Sequence, residues 1–292
     1  MNKHIFFVLF AIANIVFSSV LIRFCETGPV ASGAYRLLLT IPMLLVMNGS
    51  NKRNFQQKLT MPIVVSSCCA GLFFALDLAV FNVSIIYTSL AESTLLTNMV
   101  PFVIAPISIF WFKEKIPLKF LVTVILAIVG LYFLMSDNSL SARHLTGDWL
   151  ALLSAVFYAL FLTSIKTARE AYPASMVMIM VCIVGGILLM LLAIYKHEVV
   201  IPLTHTGWIV LVFVAFNGQV LGQTLLAYSV KYIPLQLTSI FLLLSPIFAA
   251  VYAYVIFHET LHAMQILGIG VILAAVYYGK QILEKSLRKD DF

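Results

Sequence analysis

The feature that most constrains this chain is a series of ten long apolar stretches that take up most of its length. A helix needs about 20 mostly apolar residues to cross the hydrocarbon core of a bilayer. Short polar connections separate the stretches, and each boundary is defined to about three residues. We therefore predict an all-α polytopic membrane protein with ten transmembrane helices, at about residues 4–22, 29–47, 62–86, 89–111, 117–135, 148–167, 173–195, 206–229, 234–257 and 261–282.

The composition excludes a soluble protein. Hydrophobic residues make up 62% of the 292 residues and charged residues only 10%, whereas soluble domains are about half apolar and about one quarter charged. A soluble fold of this length has too little interior to hide so much apolar surface. The first stretch is too long for a signal peptide and lacks a clear cleavage site, so we interpret it as the first span.

The distribution of basic residues predicts the orientation of the chain. One set of alternate connections holds 14 Lys and Arg residues, the opposite set holds 3, and Arg36 lies inside a span. Basic residues are enriched on the cytoplasmic side of membrane proteins. We therefore expect both termini in the cytoplasm of a bacterial inner membrane. The net charge of +6 has this explanation, and no basic stripe with exposed aromatic residues points to a nucleic-acid partner.

The two halves of the chain match at a constant offset of 145 residues. The matched pairs are Tyr87 with Tyr232, Pro101 with Pro246, and Glu114 with Glu259. Each half has five spans, an odd number, so the halves must insert with opposite orientations. We therefore predict two inverted five-helix repeats, 1–140 and 141–292, within one membrane unit. Inverted repeats are typical of carriers that work by alternating access, with the substrate site near the bilayer midplane.

Two stretches carry a family resemblance. The segment Gly71-Leu-Phe-Phe-Ala-Leu-Asp-Leu-Ala-Val-Phe-Asn82, and Thr94-Leu-Leu-Thr-Asn-Met-Val-Pro101 followed by Glu114, resemble EamA-type members of the drug/metabolite transporter superfamily. The resemblance covers nearly the whole chain. It implies a ten-helix transporter with a central cavity lined mainly by spans 1, 3, 4, 6, 8 and 9. It also implies amino acids, their relatives or other small metabolites as substrates, most often exported.

Three ionisable residues lie within predicted spans: Arg36 in span 2, Asp77 in span 3 and Glu92 in span 4. An ionisable residue in a membrane span is costly and by default marks a functional site. Asp77 is expected to contact a cationic group of the substrate or to take up a proton. The alternative is that Arg36 pairs with Asp77 or Glu92 and locks helices together, because a buried charge needs a partner.

Uncharged polar and aromatic residues supply further candidate substrate contacts near the middle of the membrane. These candidates are Asn14, Phe73, Asn98, Tyr158, Gln219 and Gln223. Asn217 lies on a different helix face from Gln219, so we favour Gln219 and Gln223 together. The alternative for each amide is a hydrogen bond that joins two helices. Pro101 and Pro246 fall within spans 4 and 9, where each can act as a hinge or as a static kink.

The sequence predicts no metal site and no cofactor. His258 and His262 lie four residues apart without a third ligand, and the four cysteines show no C-x-x-C spacing. The leading prediction is a carrier for amino acids or related small metabolites, with export as the expected direction. The alternatives are a carrier for uptake or exchange of a nucleotide-like or other host metabolite, and a membrane enzyme acting on lipid. A channel is disfavoured because charged rings and a Gly-rich filter are absent. Monomer and homodimer both remain open.

Overall fold

The computed structural model describes residues 2–49, 60–88, 90–113, 116–135, 145–258 and 262–290. Every regular element in these residues is a helix. Within the described residues, nine helical segments are long and apolar enough to cross a membrane, and Leu118–Leu134 forms a shorter apolar helix of 17 residues. A helix of 17 residues is at the lower end of the range that can span a bilayer. The predicted all-α, ten-helix membrane fold is confirmed.

The spans agree with the predicted boundaries to within about three residues, except at the start of span 4, whose helix begins at Leu90 but whose most apolar part begins at Ser93, and at the C-terminus. The last helix continues to Asp290, well past the predicted end at residue 282, and Lys280 pairs with Glu284 one turn later at 3.7 Å. Such pairs support polar helical turns outside the bilayer. Spans 1 to 10 are Lys3–Leu21, Pro29–Gly49, Met61–Tyr87, Ser93–Phe110, Leu118–Leu134, Leu145–Arg169, Ala174–Tyr195, His205–Ser229, Leu235–Phe257 and Ala263–Ser286.

Proline residues lie at the starts of several spans. Pro29 is the first helical residue of span 2, and Pro62 is the second residue of span 3. Pro117, Pro173 and Pro234 are the N-cap residues of spans 5, 7 and 9. Proline suits these positions because the first helical N–H groups have no partner within the helix. The sequence therefore predicts these helix starts correctly.

Three spans are interrupted just before an internal proline. Span 2 consists of Pro29–Leu38 and Thr40–Gly49, span 4 of Leu90–Thr97 and Val100–Phe110, and span 9 of Leu235–Leu242 and Ser245–Phe257. The prolines are Pro42, Pro101 and Pro246. Each lacks the N–H that would bond to the carbonyl four residues earlier, and its ring collides with that carbonyl. The interruption follows from this local chemistry.

The helices form two compact units. The first consists of Met1–Asn82 and Leu160–Ile233, and thus holds spans 1, 2, 3, 7 and 8 with the later part of span 6. Spans 3 and 7 approach closely in this unit, because a Cβ atom added at Gly71 would lie 2.9 Å from the Val181 carbonyl oxygen. Each unit combines segments from both halves of the sequence. The predicted 1–140 and 141–292 repeats describe the sequence order, and they stay a prediction.

The second unit consists of Val83–Ala159 and Pro234–Phe292, with spans 4, 5, 9 and 10 and the first part of span 6. Spans 5 and 10 cross at a pair of glycines. A Cβ atom added at Gly268 would lie 2.5 Å from the Gly130 carbonyl oxygen. Small residues let membrane helices approach to this distance, which increases their van der Waals contact.

Candidate functional site

Arg36 joins span 2 to span 8 inside the first unit. Its side chain is 5% exposed. Nε donates to Gln219 Oε1 at 3.2 Å, and Nη2 donates to the Gly218 carbonyl oxygen at 3.3 Å. Thr40 donates to the Arg36 carbonyl at 2.8 Å. These hydrogen bonds connect span 2 to span 8, and they were not foreseen in the sequence. The predicted pairing of Arg36 with Asp77 stays a prediction.

Gln219 and Gln223 lie on a π-helical segment, Phe216–Thr224, within span 8. Thr224 donates to the Gln219 carbonyl five residues earlier at 2.8 Å, which fits the wider turn. Gln219 is fully buried and Gln223 is 2% exposed, whereas Asn217 is half-buried. The inward placement of the two glutamines agrees with their predicted shared face. The π-helix itself was not foreseen, and such segments are frequent at functional sites.

Both the oxygen and the nitrogen of the Gln219 side-chain amide have partners. Its oxygen accepts the bond from Arg36, and its nitrogen lies 3.9 Å from the Cys182 sulfur of span 7. Gln219 therefore connects spans 2, 7 and 8 in this conformation. Substrate contact by Gln219 requires these bonds to be exchanged, and its binding role stays a prediction.

The three asparagines within the spans use their amides in the same way. Asn14, Asn98 and Asn217 each donate to the backbone carbonyl four residues earlier in the same helix, at 2.8, 2.7 and 2.9 Å. Among the described residues, none of them bonds to another helix. All three are half-buried. The side-chain nitrogen of each asparagine is thus bonded within its own helix, and these amides do not join helices here.

Asp77 is a buried carboxyl group of span 3, with 7% exposure. Phe73 lies one turn earlier in the same span and is half-buried. Its neighbour Phe74 is 2% exposed and stacks on Phe161 of span 6, with ring centroids 4.5 Å apart. Phe74 and Phe161 are therefore core residues of the first unit, while Phe73 and Asp77 stay candidate substrate contacts.

The remaining candidates belong to the second unit. Tyr158 of span 6 and Asn98 of span 4 are both half-buried. Pro101 and Pro246 follow the interruptions of spans 4 and 9, and the hinge role remains a prediction. The side chain of Glu92 lies outside the described residues, as do Glu114 and Glu259, so the predicted pairing of Arg36 with Glu92 stays open.

A pair of glutamates ties two loops of the first unit together. Glu198 Oε2 accepts the N–H groups of Val30 and Ala31 at the start of span 2, at 3.0 and 2.9 Å. Glu26 Oε2 accepts the N–H groups of Leu203 and Thr204 before span 8, at 2.8 and 3.0 Å. Carboxylates are stabilising at helix N-termini. Each loop therefore caps the helix that follows the other loop, an arrangement we call the glutamate clasp.

The clasp changes the acidity of one of its members. Hydrogen bonds from the Thr204 hydroxyl, the Thr204 N–H and the Leu203 N–H favour the charged form, and they lower the pKa of Glu26 below its ordinary value. Nearby, burial raises the pKa of the Cys25 thiol. Cys25 therefore stays protonated at neutral pH.

Several residues of these hydrogen-bond networks were not predicted from the sequence. Ser18 is fully buried and donates to the Val214 carbonyl at 3.0 Å. Thr40 stands four residues after Arg36, a spacing typical of a hydroxyl that bonds back to its own helix. Cys182 and Glu198 showed no local signal, because their partners are distant in the chain. Within the described residues, no three His, Cys, Asp or Glu side chains cluster as metal ligands.

The C-terminal half matches a known family model. Residues 145–278 match the EamA-like transporter family. This match and the relatives named as transporters support an EamA-type transporter of the drug/metabolite transporter superfamily. The resemblance expected from the segments around Asp77 and Pro101 is thereby confirmed. The relatives below are named as transporters in two of three cases, which favours a transporter over an enzyme for this EamA-type protein.

Three relatives share about one quarter of their residues with this EamA-type chain. A WAT1-related chloroplastic protein of Arabidopsis thaliana is 24% identical over 65% of the chain, and the match spans only 48% of that longer relative. An uncharacterized transporter of Archaeoglobus fulgidus is 26% identical over 70% of the chain and 73% of its own length. The uncharacterized transporter YetK of Bacillus subtilis is 24% identical over 84% of this chain and 76% of its own length.

A solved crystal structure shares the fold. It superposes with a TM-score of 0.84 over 97% of this chain and 98% of the other chain, at 13% identity. At that identity the likeness concerns the fold alone. It shows that the ten-helix arrangement of this EamA-type chain has an experimental counterpart along nearly its whole length.

Proposed function

We propose that this chain is a carrier that moves amino acids or related small metabolites across the bacterial cytoplasmic membrane by alternating access, in the direction of export. Both termini lie in the cytoplasm in this proposal, following the bias of Lys and Arg residues. The family and the relatives named as transporters support the general activity. The substrate class and the direction are inferences from the residues.

One observation carries the proposal. Spans 4 and 9 are interrupted at residues 98–99 and 243–244, which correspond at the offset of 145 residues between the two halves. Interrupted helices at corresponding positions of two repeats are the best sequence-level indication of a carrier site. A channel or a lipid-modifying enzyme has no need for this correspondence.

Asn14 and Asp77 indicate the chemistry of the substrate. Both belong to the first unit. Asn14 lies in a membrane span and is only half-buried, and its side-chain nitrogen is bonded within its own helix, which leaves the oxygen as an acceptor. Polar groups at this depth face a water-filled cavity and not lipid. A carboxyl group and an amide acceptor together suit the ammonium group of an amino acid or a related amine.

The first experiment measures transport in vesicles. The purified protein is reconstituted into proteoliposomes loaded with unlabelled amino acids, polyamines or nucleosides, and uptake of the labelled compound is followed. A carrier shows saturable counterflow, in which the loaded compound drives transient accumulation of the label. Counterflow with an amino acid or amine supports the proposal. Counterflow only with nucleosides supports the nucleotide-like alternative, and unsaturable flux without counterflow contradicts a carrier.

A pair of variants tests the site. Asn14→Ala removes the half-exposed acceptor in span 1, whereas Asn217→Ala removes an amide with the same backbone-bonded geometry in span 8. We expect Asn14→Ala to raise the half-saturating substrate concentration about tenfold, because a hydrogen bond to a charged group contributes roughly 1.5–3 kcal/mol. Asn217→Ala should leave it unchanged. Equal effects of the two substitutions would remove Asn14 from the site.

A further inference from the structure

The first unit contains a cavity that is lined by none of the residues of the proposed carrier site. Its volume is about 550 Å³, and it lies where spans 6 and 8 end and span 7 begins. The charged residues that line it, Arg169 and Lys231, are both basic. Two tyrosines, Tyr228 and Tyr232, also line it. Met47, Leu221 and Leu225 form part of its apolar lining.

Arg169 is the central group of this cavity. Its side chain is only 4% exposed. Nε donates to the Ala227 carbonyl at 2.9 Å, and Nη1 donates to the Tyr172 carbonyl. The guanidinium carbon lies 5.9 Å from the centroid of the Tyr228 ring. The Tyr232 side chain is a third hydrogen-bond partner of Arg169. These contacts fix the position of the guanidinium, which has five N–H donors in total.

The charge of Arg169 has no carboxylate partner among the described residues. Lys231 stands exposed at the mouth of the cavity, and its Nζ donates to the backbone carbonyl of Glu170 at 3.2 Å, not to the carboxylate of that residue. Two cations therefore share one cavity without a described anionic side chain bonded to either of them. A buried charge without a counter-charge is costly, and an anion in the cavity would offset that cost.

We propose that this cavity binds a phosphate group, held by Arg169 from within and by Lys231 at the mouth. Guanidinium groups bind phosphate oxygens through paired N–H donors, and lysine adds a point charge. The apolar lining beside the cations suits the chain of an anionic phospholipid, and basic pockets between membrane helices bind such headgroups. A soluble phosphate would use the same two cations. The phosphate chemistry does not depend on the transport proposal.

The test uses the purified full chain and three probes, namely dioleoyl phosphatidylglycerol, dioleoyl phosphatidylcholine and inorganic phosphate. Binding is measured by native mass spectrometry for the lipids and by the shift in unfolding temperature for all three. Lys231→Gln is the main variant, because an exposed side chain can be replaced without disturbing the fold. Lys196→Gln is its matched control, since Lys196 is an exposed lysine of the same unit that does not line the cavity. Arg169→Gln is the second variant.

We expect Lys231→Gln to weaken binding of phosphatidylglycerol about fivefold, the value for one lysine near an anionic headgroup. Lys196→Gln should leave binding unchanged, and phosphatidylcholine should bind more weakly than phosphatidylglycerol. Arg169→Gln should abolish the preference between the two lipids. If inorganic phosphate alone shows the same dependence on Lys231, the phosphate site stands with a soluble ligand. If no probe binds, or if Lys196→Gln weakens binding as much as Lys231→Gln, the proposal is overturned.

Discussion

The crossing of spans 5 and 10 offers a direct test of the described packing. In Gly268→Ala the new Cβ would lie 2.5 Å from the Gly130 carbonyl oxygen and 2.5 Å from the Leu134 backbone nitrogen. Ordinary contact begins at 3.4 Å, so the two helices must separate by about 0.9 Å. Both obstacles are backbone atoms, which cannot rotate away as a side chain can. Overpacking of this kind costs about 1–3 kcal/mol.

The same helix supplies the control. In Gly270→Ala the new Cβ meets nothing within 4 Å. Both substitutions replace a helical glycine by alanine, so the gain in helix propensity of up to about 1 kcal/mol is common to both. The difference between the two variants therefore isolates the steric contact at Gly268. For a chain of this size, a difference of 2 kcal/mol corresponds to roughly 5 °C in unfolding temperature.

The assay is thermal unfolding of the two variants and the wild type in one detergent, followed by the fluorescence of the three tryptophans. One heating rate is used throughout, because unfolding that is irreversible depends on the scan rate. We expect Gly268→Ala to melt about 5 °C below Gly270→Ala. A melting temperature for Gly268→Ala equal to or above that of Gly270→Ala would show that spans 5 and 10 do not cross closely at this glycine.

Three further predictions concern the networks of the spans. Arg36→Met should destabilise the protein by about 2 kcal/mol in thermal unfolding, because the oxygens of Gln219 and Gly218 lose a charged donor. An unchanged melting temperature with weaker substrate binding would instead place Arg36 in the substrate site. Hydrogen bonds, mainly the one from the Thr204 hydroxyl, lower the pKa of Glu26 from its ordinary 4.5. The charged Glu26 carboxylate therefore stabilises the fold above pH 4.5, and this stabilisation is lost as the pH falls through the lowered pKa. The difference in melting temperature between wild type and Glu26→Gln should therefore shrink from pH 7 to pH 3. A difference that stays constant over this range would contradict the prediction. Pro246→Ala should slow counterflow severalfold without lowering the melting temperature if the interruption of span 9 flexes, whereas unchanged transport would make it a static kink.

Much of the fold could be predicted because membrane insertion depends on local sequence. Lipid offers no hydrogen-bond partners, so each apolar stretch of sufficient length must satisfy its backbone internally as a helix. The positions of Pro101 and Pro246 likewise predict the interruptions of spans 4 and 9, since a proline acts on the carbonyl four residues before it. These features need no knowledge of which helices are neighbours.

The candidate site was predicted less completely. The shared face of Gln219 and Gln223 could be predicted from helical spacing, but its burial and the π-helical segment that carries it could not. The sequence showed that Arg36 needs a partner and proposed Asp77 or Glu92; the hydrogen bonds to Gln219 and Gly218 were not foreseen, and the proposed pairing stays a prediction. A span position shows that a polar group needs a partner, but it does not show which of several polar groups will supply one.

The sequence by itself thus determined the class of protein, the ten spans and the distortion of spans 4 and 9 at Pro101 and Pro246, because these depend on hydropathy and on backbone chemistry within one helix. Only the tertiary structure decided the partners of Arg36 and the glutamate clasp, in which Glu26 bonds to Thr204, 178 residues away, and Glu198 bonds to Val30, 168 residues away. The same holds for the basic cavity around Arg169. Such contacts leave no periodic signal in the chain, since they arise when helices distant in sequence pack side by side.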